Sequence, residues 1–201
     1  DSAIATGTGG LTKNGAGELT LSGTNTFAGD LTISDGTVSV DGGAALADSV
    51  DVIVDDGATL NLNSSEAIAS LANSVGAALN GATLSVGANE LDIVGATSTT
   101  FNGTVTGTGA ILNDGSGKLE LTGDGSGFAG LLGSTGTGSE IALTGAGTTG
   151  AKGVGATAGN TFSTDGGAIL DTSAVLAADG QVTFTGPETV GSVTNSSVSG
   201  N

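Results

Sequence analysis

The chain has no cysteine, histidine, methionine, tryptophan, tyrosine or arginine, and each absence removes a class of chemistry. Without cysteine there is no disulfide, no thiolate nucleophile and no cysteine metal site. Without histidine, Ser-His-Asp and Cys-His catalysis are excluded, as are histidine-held metals. Positive charge is nearly absent: Lys13, Lys118 and Lys152 face 20 acids, for a net charge of -17. With no basic patch to neutralise phosphates, neither nucleic-acid binding nor docking on anionic lipid is expected. The same charge keeps a repetitive strand protein soluble. Three lysines leave trypsin-like proteases only three sites, which suits life outside a cell. The longest apolar stretch, around Val50 to Val54, is far too short to span a bilayer, so this segment is not expected to insert in a membrane. The missing methionine, even at position 1, reads as a processed or excised product.

What the chain does contain is one sentence of residues written twice. Residues 6–31 read TGTGGLTKNGAGELTLSGTNTFAGDL and residues 106–132 read TGTGAILNDGSGKLELTGDGSGFAGLL, with one inserted residue between Leu121 and Phe128. Short strands and glycine turns recurring in fixed order are the mark of a stacked architecture, in which each unit buries its apolar edge against its neighbours. Leu, Ile, Val and Phe make 47 of 201 residues, which places the glycine-rich chain above the composition at which chains stay unfolded. They sit in period-two pairs such as Leu19-Leu21, Val52-Val54, Leu60-Leu62, Leu84-Val86 and Leu119-Leu121, the alternation of strands with one face inward. The gaps hold Gly, Asp, Asn, Ser and Thr, the residues of turns.

The string of residues 7–40 resembles the strand repeat of autotransporter passengers, the secreted right-handed β-helices of Gram-negative bacteria. Residues 67–111 are similar to the segment that precedes such a repeat, down to Phe101-Asn102-Gly103, and residues 189–201 echo its start. The resemblance implies an all-β, right-handed parallel β-helix, and three strands per coil give about six to seven coils in a single domain over 1–201. Residues 144–167 have little pattern and are expected as an irregular loop. A β-sandwich fits the glycine content and the five phenylalanines poorly, and a calcium-binding roll would need tandem nonapeptides that are absent. One segment offers a helix instead: Ile68, Leu71, Val75 and Leu79 are spaced for a helical face from about 65 to 75, where the resemblance puts strands.

The candidate residues are few. Phe27, Phe101 and Phe128 are expected inside the coil, stacked over one another at a corner, with Leu19, Leu21, Leu119 and Leu121 as repeat core. In each Phe-x-Gly the glycine lets the chain turn beside the ring. Asp51, Asp55 and Asp56 are the calcium candidates of an acidic stretch from Asp30 to Asp56, against the plainer reading of a solvated turn edge; otherwise no cofactor is expected. Asp55-Asp56 as a glycosidase pair lacks the His and Arg partners of catalytic β-helices. Gly145 to Gly150 matches G-x-G-x-x-G without the helix that a dinucleotide site needs. The pairs Thr24-Thr26, Thr104-Thr106 and Thr183-Thr185 suggest a hydroxyl array of the ice-binding kind, but no constant coil length relates them. They read as ordinary outward strand residues.

The function expected is that of a non-catalytic, secreted or cell-surface structural or adhesive module of a Gram-negative bacterium, with a cell-surface or polysaccharide ligand. The alternative is a filament subunit joined end to end by strand pairing through residues 1–10 and 189–201. A carbohydrate-active enzyme is the remote third reading.

Overall fold

The computed structural model describes residues 4, 7–74, 81–144, 148–165, 168–169, 175–178, 180–185 and 192–195, and among them every regular element is a β-strand. The first two turns carry two strands each: β1 (Leu11–Lys13) and β2 (Glu18–Ser22), then β3 (Leu31–Ile33) and β4 (Thr37–Asp41). The next three carry three: β5 (Asp51–Val54), β6 (Thr59–Leu62) and β7 (Glu66–Ile68); β8 (Ser70–Ala72), β9 (Thr83–Ser85) and β10 (Glu90–Ile93); β11 (Thr99–Phe101), β12 (Thr104–Thr106) and β13 (Ala110–Asn113). Three more follow the same plan: β14 (Lys118–Leu121), β15 (Asp124–Gly125) and β16 (Leu131–Ser134); β17 (Glu140–Thr144), β18 (Thr148–Thr149) and β19 (Gly153–Ala156); β20 (Thr161–Asp165), β21 (Ala168–Ile169) and β22 (Val175–Ala178). The described strands end with β23 (Gln181–Phe184) and β24 (Ser192–Asn195).

Each strand pairs in parallel with a strand one turn away and not with its neighbour in sequence. The first face holds β1-β3-β5-β8 and then β11-β14-β17-β20-β23, the two sheets adjoining where β8 packs on β11. The second face holds β2-β4-β6-β9-β12, continued by β15-β18-β21. The third is one sheet of seven strands, β7 to β24. This is the parallel β-helix that the repeat led us to expect.

Alternation drives the winding. In β4, β6, β9 and β12 the inward Val38, Leu60, Leu84 and Val105 are register partners and buried, while Thr37, Thr59, Thr83 and Thr104 beside them are half-buried on the outer side. Burying each such aliphatic side chain contributes roughly 1.5–3 kcal/mol. A one-residue slip would turn the whole apolar column to water, so the register is tightly held.

Two expectations are corrected. The helical spacing from Ile68 is overridden: β7 and β8 occupy 66–72, turning the chain between two faces, with Ile68 and Leu71 both fully buried. Val75 and Leu79 lie outside the described residues. The expected loop of 144–167 contains β18, β19 and β20, which continue the three faces. Its inward positions are filled by Val154, Ala156 and Phe162 amid glycine and threonine, so alternation is present but too sparse to read.

On the third face below β7, side chains do the work of a strand. Asn25 accepts from the Ile4 N–H at 2.8 Å and donates to the Ala45 carbonyl at 2.7 Å. Glu66, one turn above, accepts from the N–H groups of Ala45 and Leu46 at 3.0 and 3.2 Å. Buried backbone groups there would otherwise be unpaired. Burial pushes the Glu66 carboxyl up, partly offset by these two donors.

Candidate binding surface

The repeat is the natural unit from which to build. Leu11 pairs with Leu31, and Ile111 pairs with Leu132, so each copy closes one full turn. The copies differ in placement. The first starts on the first face, with β1, and the second starts on the third face, with β13. They are therefore offset by one face around the coil.

The offset governs the phenylalanines. Phe27, Phe101 and Phe128 are all buried, as is Phe162. Phe27 precedes β3 on the first face, Phe128 precedes β16 on the third, and Phe101 lies within β11. They are not stacked over one another at one corner, because identical sequence was laid down at different angles. Register instead puts Phe101 on Leu121 and Phe162 on Ile141. Leu21, Leu119 and Leu121 are buried and Leu19 is half-buried. The glycines of Phe-x-Gly sit where a side chain has no room. A Cβ on Gly103 would lie 2.6 Å from the Phe101 ring, and one on Gly130 would lie 2.7 Å from the Phe128 ring and against the Gly109 carbonyl.

Both copies also plug the same corner, with different groups. The Lys13 ammonium donates to the carbonyls of Gly15 at 2.5 Å and Asp35 at 3.0 Å, and is almost wholly buried. The amide of Asn113, at the same place in the second copy, donates to the carbonyls of Gly117 and Glu140, both at 2.8 Å. Each thus ties its own turn to the next one. Sequence reading passed over both; their shared place in the repeat was the available signal.

The family described as passenger-associated-transport-repeat matches residues 11–40, the run from β1 through Val40 of β4. A relative named adhesin BmaC autotransporter, from Brucella suis biovar 1 (strain 1330), is 36% identical over 101 residues, which is 50% of this chain and 3% of that protein. The chain thus spans a small fraction of the relative's length. No solved structure matches the chain.

Around the passenger-associated repeat the acidic candidates are tied to neighbouring turns. Asp51 accepts from the Ser70 hydroxyl at 2.5 Å, Asp55 from the Ser74 hydroxyl, and Asp56 from the Gly81 N–H at 2.9 Å. Among the described residues no three acidic groups converge as a metal site would require. Each calcium candidate instead braces the turn above, Asp51 at the start of β5 and Asp55 and Asp56 beyond its end. Residues 145–147 of the G-x-G-x-x-G match lie outside the described residues, as does much of the expected filament joint, residues 1–10 and 189–201.

The outer faces differ in chemistry. On the first, Glu120 accepts from Thr144 at 2.7 Å and Thr100 at 2.9 Å, with the Lys118 ammonium 3.5 Å away. These hold its carboxyl below the usual range, the Thr144 bond foremost. On the third, Leu112, Leu131, Gly133, Gly153 and Gly155 line a trough of about 340 Å³. Leu131, 44% exposed, is the one large hydrophobic side chain on the surface among the described residues. Beneath Leu112, Asp92 has a carboxylate oxygen with no donor, and burial, with Glu90 and Asp114 nearby, pushes its carboxyl up.

Proposed function

We propose that this chain is a non-catalytic adhesive module, displayed outside a Gram-negative cell as part of an autotransporter-type surface protein. The observation that carries the reading is that the segment similar to the passenger-associated repeat makes one complete turn and the first two faces of the next, so the matched sequence contains the building unit of the rod itself. The partial likeness to a protein named an adhesin supports the same reading. Stacked turns give a stiff scaffold on which every outward residue repeats at the strand spacing of about 4.8 Å. Such a scaffold presents many copies of one weak contact, and linked weak contacts hold strongly. The acidic side chains that could have served catalysis, Asp55 and Asp56, are engaged in bracing the fold.

The test is retention under flow. Beads coated with the 201-residue chain are settled on bacterial and epithelial cell layers and compared with beads carrying an unrelated solenoid of equal negative charge. Retention well above the control is expected. Detachment at the control's shear on both layers would overturn the adhesive reading.

A further inference from the structure

The second face carries a feature that the first and third lack. Thr37, Thr59, Thr83 and Thr104 are consecutive register partners and form one outward column. Two residues along each strand, Ser39, Asn61, Ser85 and Thr106 form a second column in the same register. The buried Val38, Leu60, Leu84 and Val105 run between them and anchor all four strands in the core. The result is a two-by-four array with rungs about 4.8 Å apart and columns about 6.6 Å apart, in which Ser39 is buried and the other seven positions are half-buried on the outer side. Threonine is stiff at its first side-chain torsion, so hydroxyl and methyl directions repeat from rung to rung.

Two further observations bear on what this array does. On the first face, Thr100 and Thr144 bond Glu120 and Ser163 bonds Glu140, while Thr12 and Thr32 make a column only two rungs long before Ile53. On the second, Ser39 bonds Glu18 and Asn61 bonds Ser39 and Asn63. The hydroxyls of Thr37, Thr59, Thr83, Thr104, Ser85 and Thr106 have no protein partner among the described residues. None of the eight positions is charged, in a chain of net charge -17.

The Thr-x-Thr pairs singled out in the sequence do not make this array. Thr104-Thr106 is on it, but Thr183 is on the first face and Thr24-Thr26 lies between β2 and β3. The columns are built from Thr-x-Ser and Thr-x-Asn as well, and unequal coil lengths are absorbed at the corners, so in-register threonines need no constant spacing in sequence.

We propose that this second face binds an extended, neutral, β-linked polysaccharide lying along the stack. The inference rests on the adhesive reading and gives it a ligand class. A sugar needs donors and acceptors beside small apolar contacts, which each threonine supplies with its hydroxyl and methyl groups. An extended β-linked glycan advances by close to one rung per sugar and turns over at each one, so every second rung meets a sugar in the same way. The protein's charge repels anionic glycans and leaves neutral ones as the matching class. Because the array is held rigid by the sheet, little side-chain freedom is lost on binding.

Co-sedimentation of the full chain with cellulose, chitin and insoluble pectate tests this. Cellulose or chitin is expected to carry the chain down and pectate is not. Replacing Thr59 and Thr83 together by valine keeps the branched shape and removes two hydroxyls. It is expected to weaken binding at least tenfold with the far-ultraviolet spectrum and Tm unchanged. A Thr59→Lys, Thr83→Lys pair, which fills the face, is expected to abolish binding. The matched change on the first face, Thr12→Val with Thr32→Val, is expected to leave it intact. No binding to either neutral matrix, or equal loss from both valine pairs, overturns the proposal. If the coated beads still hold to cells in that event, the adhesive reading stands and only the ligand assignment falls.

Discussion

The two copies of the repeat make turns of nearly equal length, 20 residues from Leu11 to Leu31 and 21 from Ile111 to Leu132, but they occupy different sides of the rod. What the repeat specifies is thus a turn, with its corner plug and its phenylalanine, and not a position around the axis. A face of the solenoid is instead assembled from unlike pieces of sequence. The first face passes from Leu11 and Leu31 of the matched repeat to Leu119 of the other copy's second strand. Equal sequence means equal local energetics in unequal surroundings, and that equivalence can be challenged.

The strongest challenge is to the rings. Phe27→Ala and Phe128→Ala are each expected to cost about 3–5 kcal/mol, since both side chains are about fully buried and neither site can collapse against parallel strands. Chemical denaturation of the two variants would break the equivalence if one cost less than about 1 kcal/mol. Next come the corner plugs. Asn113→Ala strands two carbonyls and is expected to cost about 1–3 kcal/mol, and Lys13→Met, which keeps the stem and loses the charged bonds, about as much. A neutral outcome for either would show that water substitutes there and that the plug is not part of the unit.

Smaller effects sharpen the contrast between the surroundings of the two copies. Asp92 lies directly beneath Leu112 of the second copy. Its folded-state carboxyl is pushed up, so its ionised form weakens the fold at neutral pH, and stability is gained as pH falls through that raised value. Asp92→Asn is therefore expected to raise Tm at pH 7, and the difference from the parent should close on acidification. A gap independent of pH would assign the effect to packing. Glu120 has the opposite sign: its carboxyl is held down, so its contribution is present at neutral pH and lost as pH falls through the folded value. Glu120→Gln is expected to cost about 0.5 kcal/mol or less at pH 7, as befits a partly exposed group, and nothing in acid. Thermal melts across pH resolve both.

Much of this was legible from residue order. Pairs such as Leu60-Leu62 and Leu119-Leu121 show strands because burial on one side of a pleated chain enforces a period of two. The doubled sentence showed stacking. Two things were hidden for stated physical reasons. In 144–167 the large inward residues, Val154 and Phe162, stand singly among Ala151, Ala156 and threonines, and a core position filled by alanine leaves no hydrophobic beat to count. The face on which a strand lands depends on the sum of all preceding corners, so neither the scattered phenylalanines nor the threonine columns of the second face can be placed from spacing alone. Lys13 and Asn113 were invisible because unlike side chains perform one task.

The strand registers span narrow intervals of chain, from 17 residues for Val175 with Ser192 to 25 for Glu66 with Leu91. No paired strand waits for a distant part of the sequence, so the loop that must close before each new rung forms is always short, and its entropic cost is nearly constant from one rung to the next. A chain delivered gradually, from either end, can therefore settle one rung at a time onto the last rung already formed, with the finished rungs acting as template. Folding can keep pace with delivery, and no stage of it exposes more than about one turn of unpaired strand.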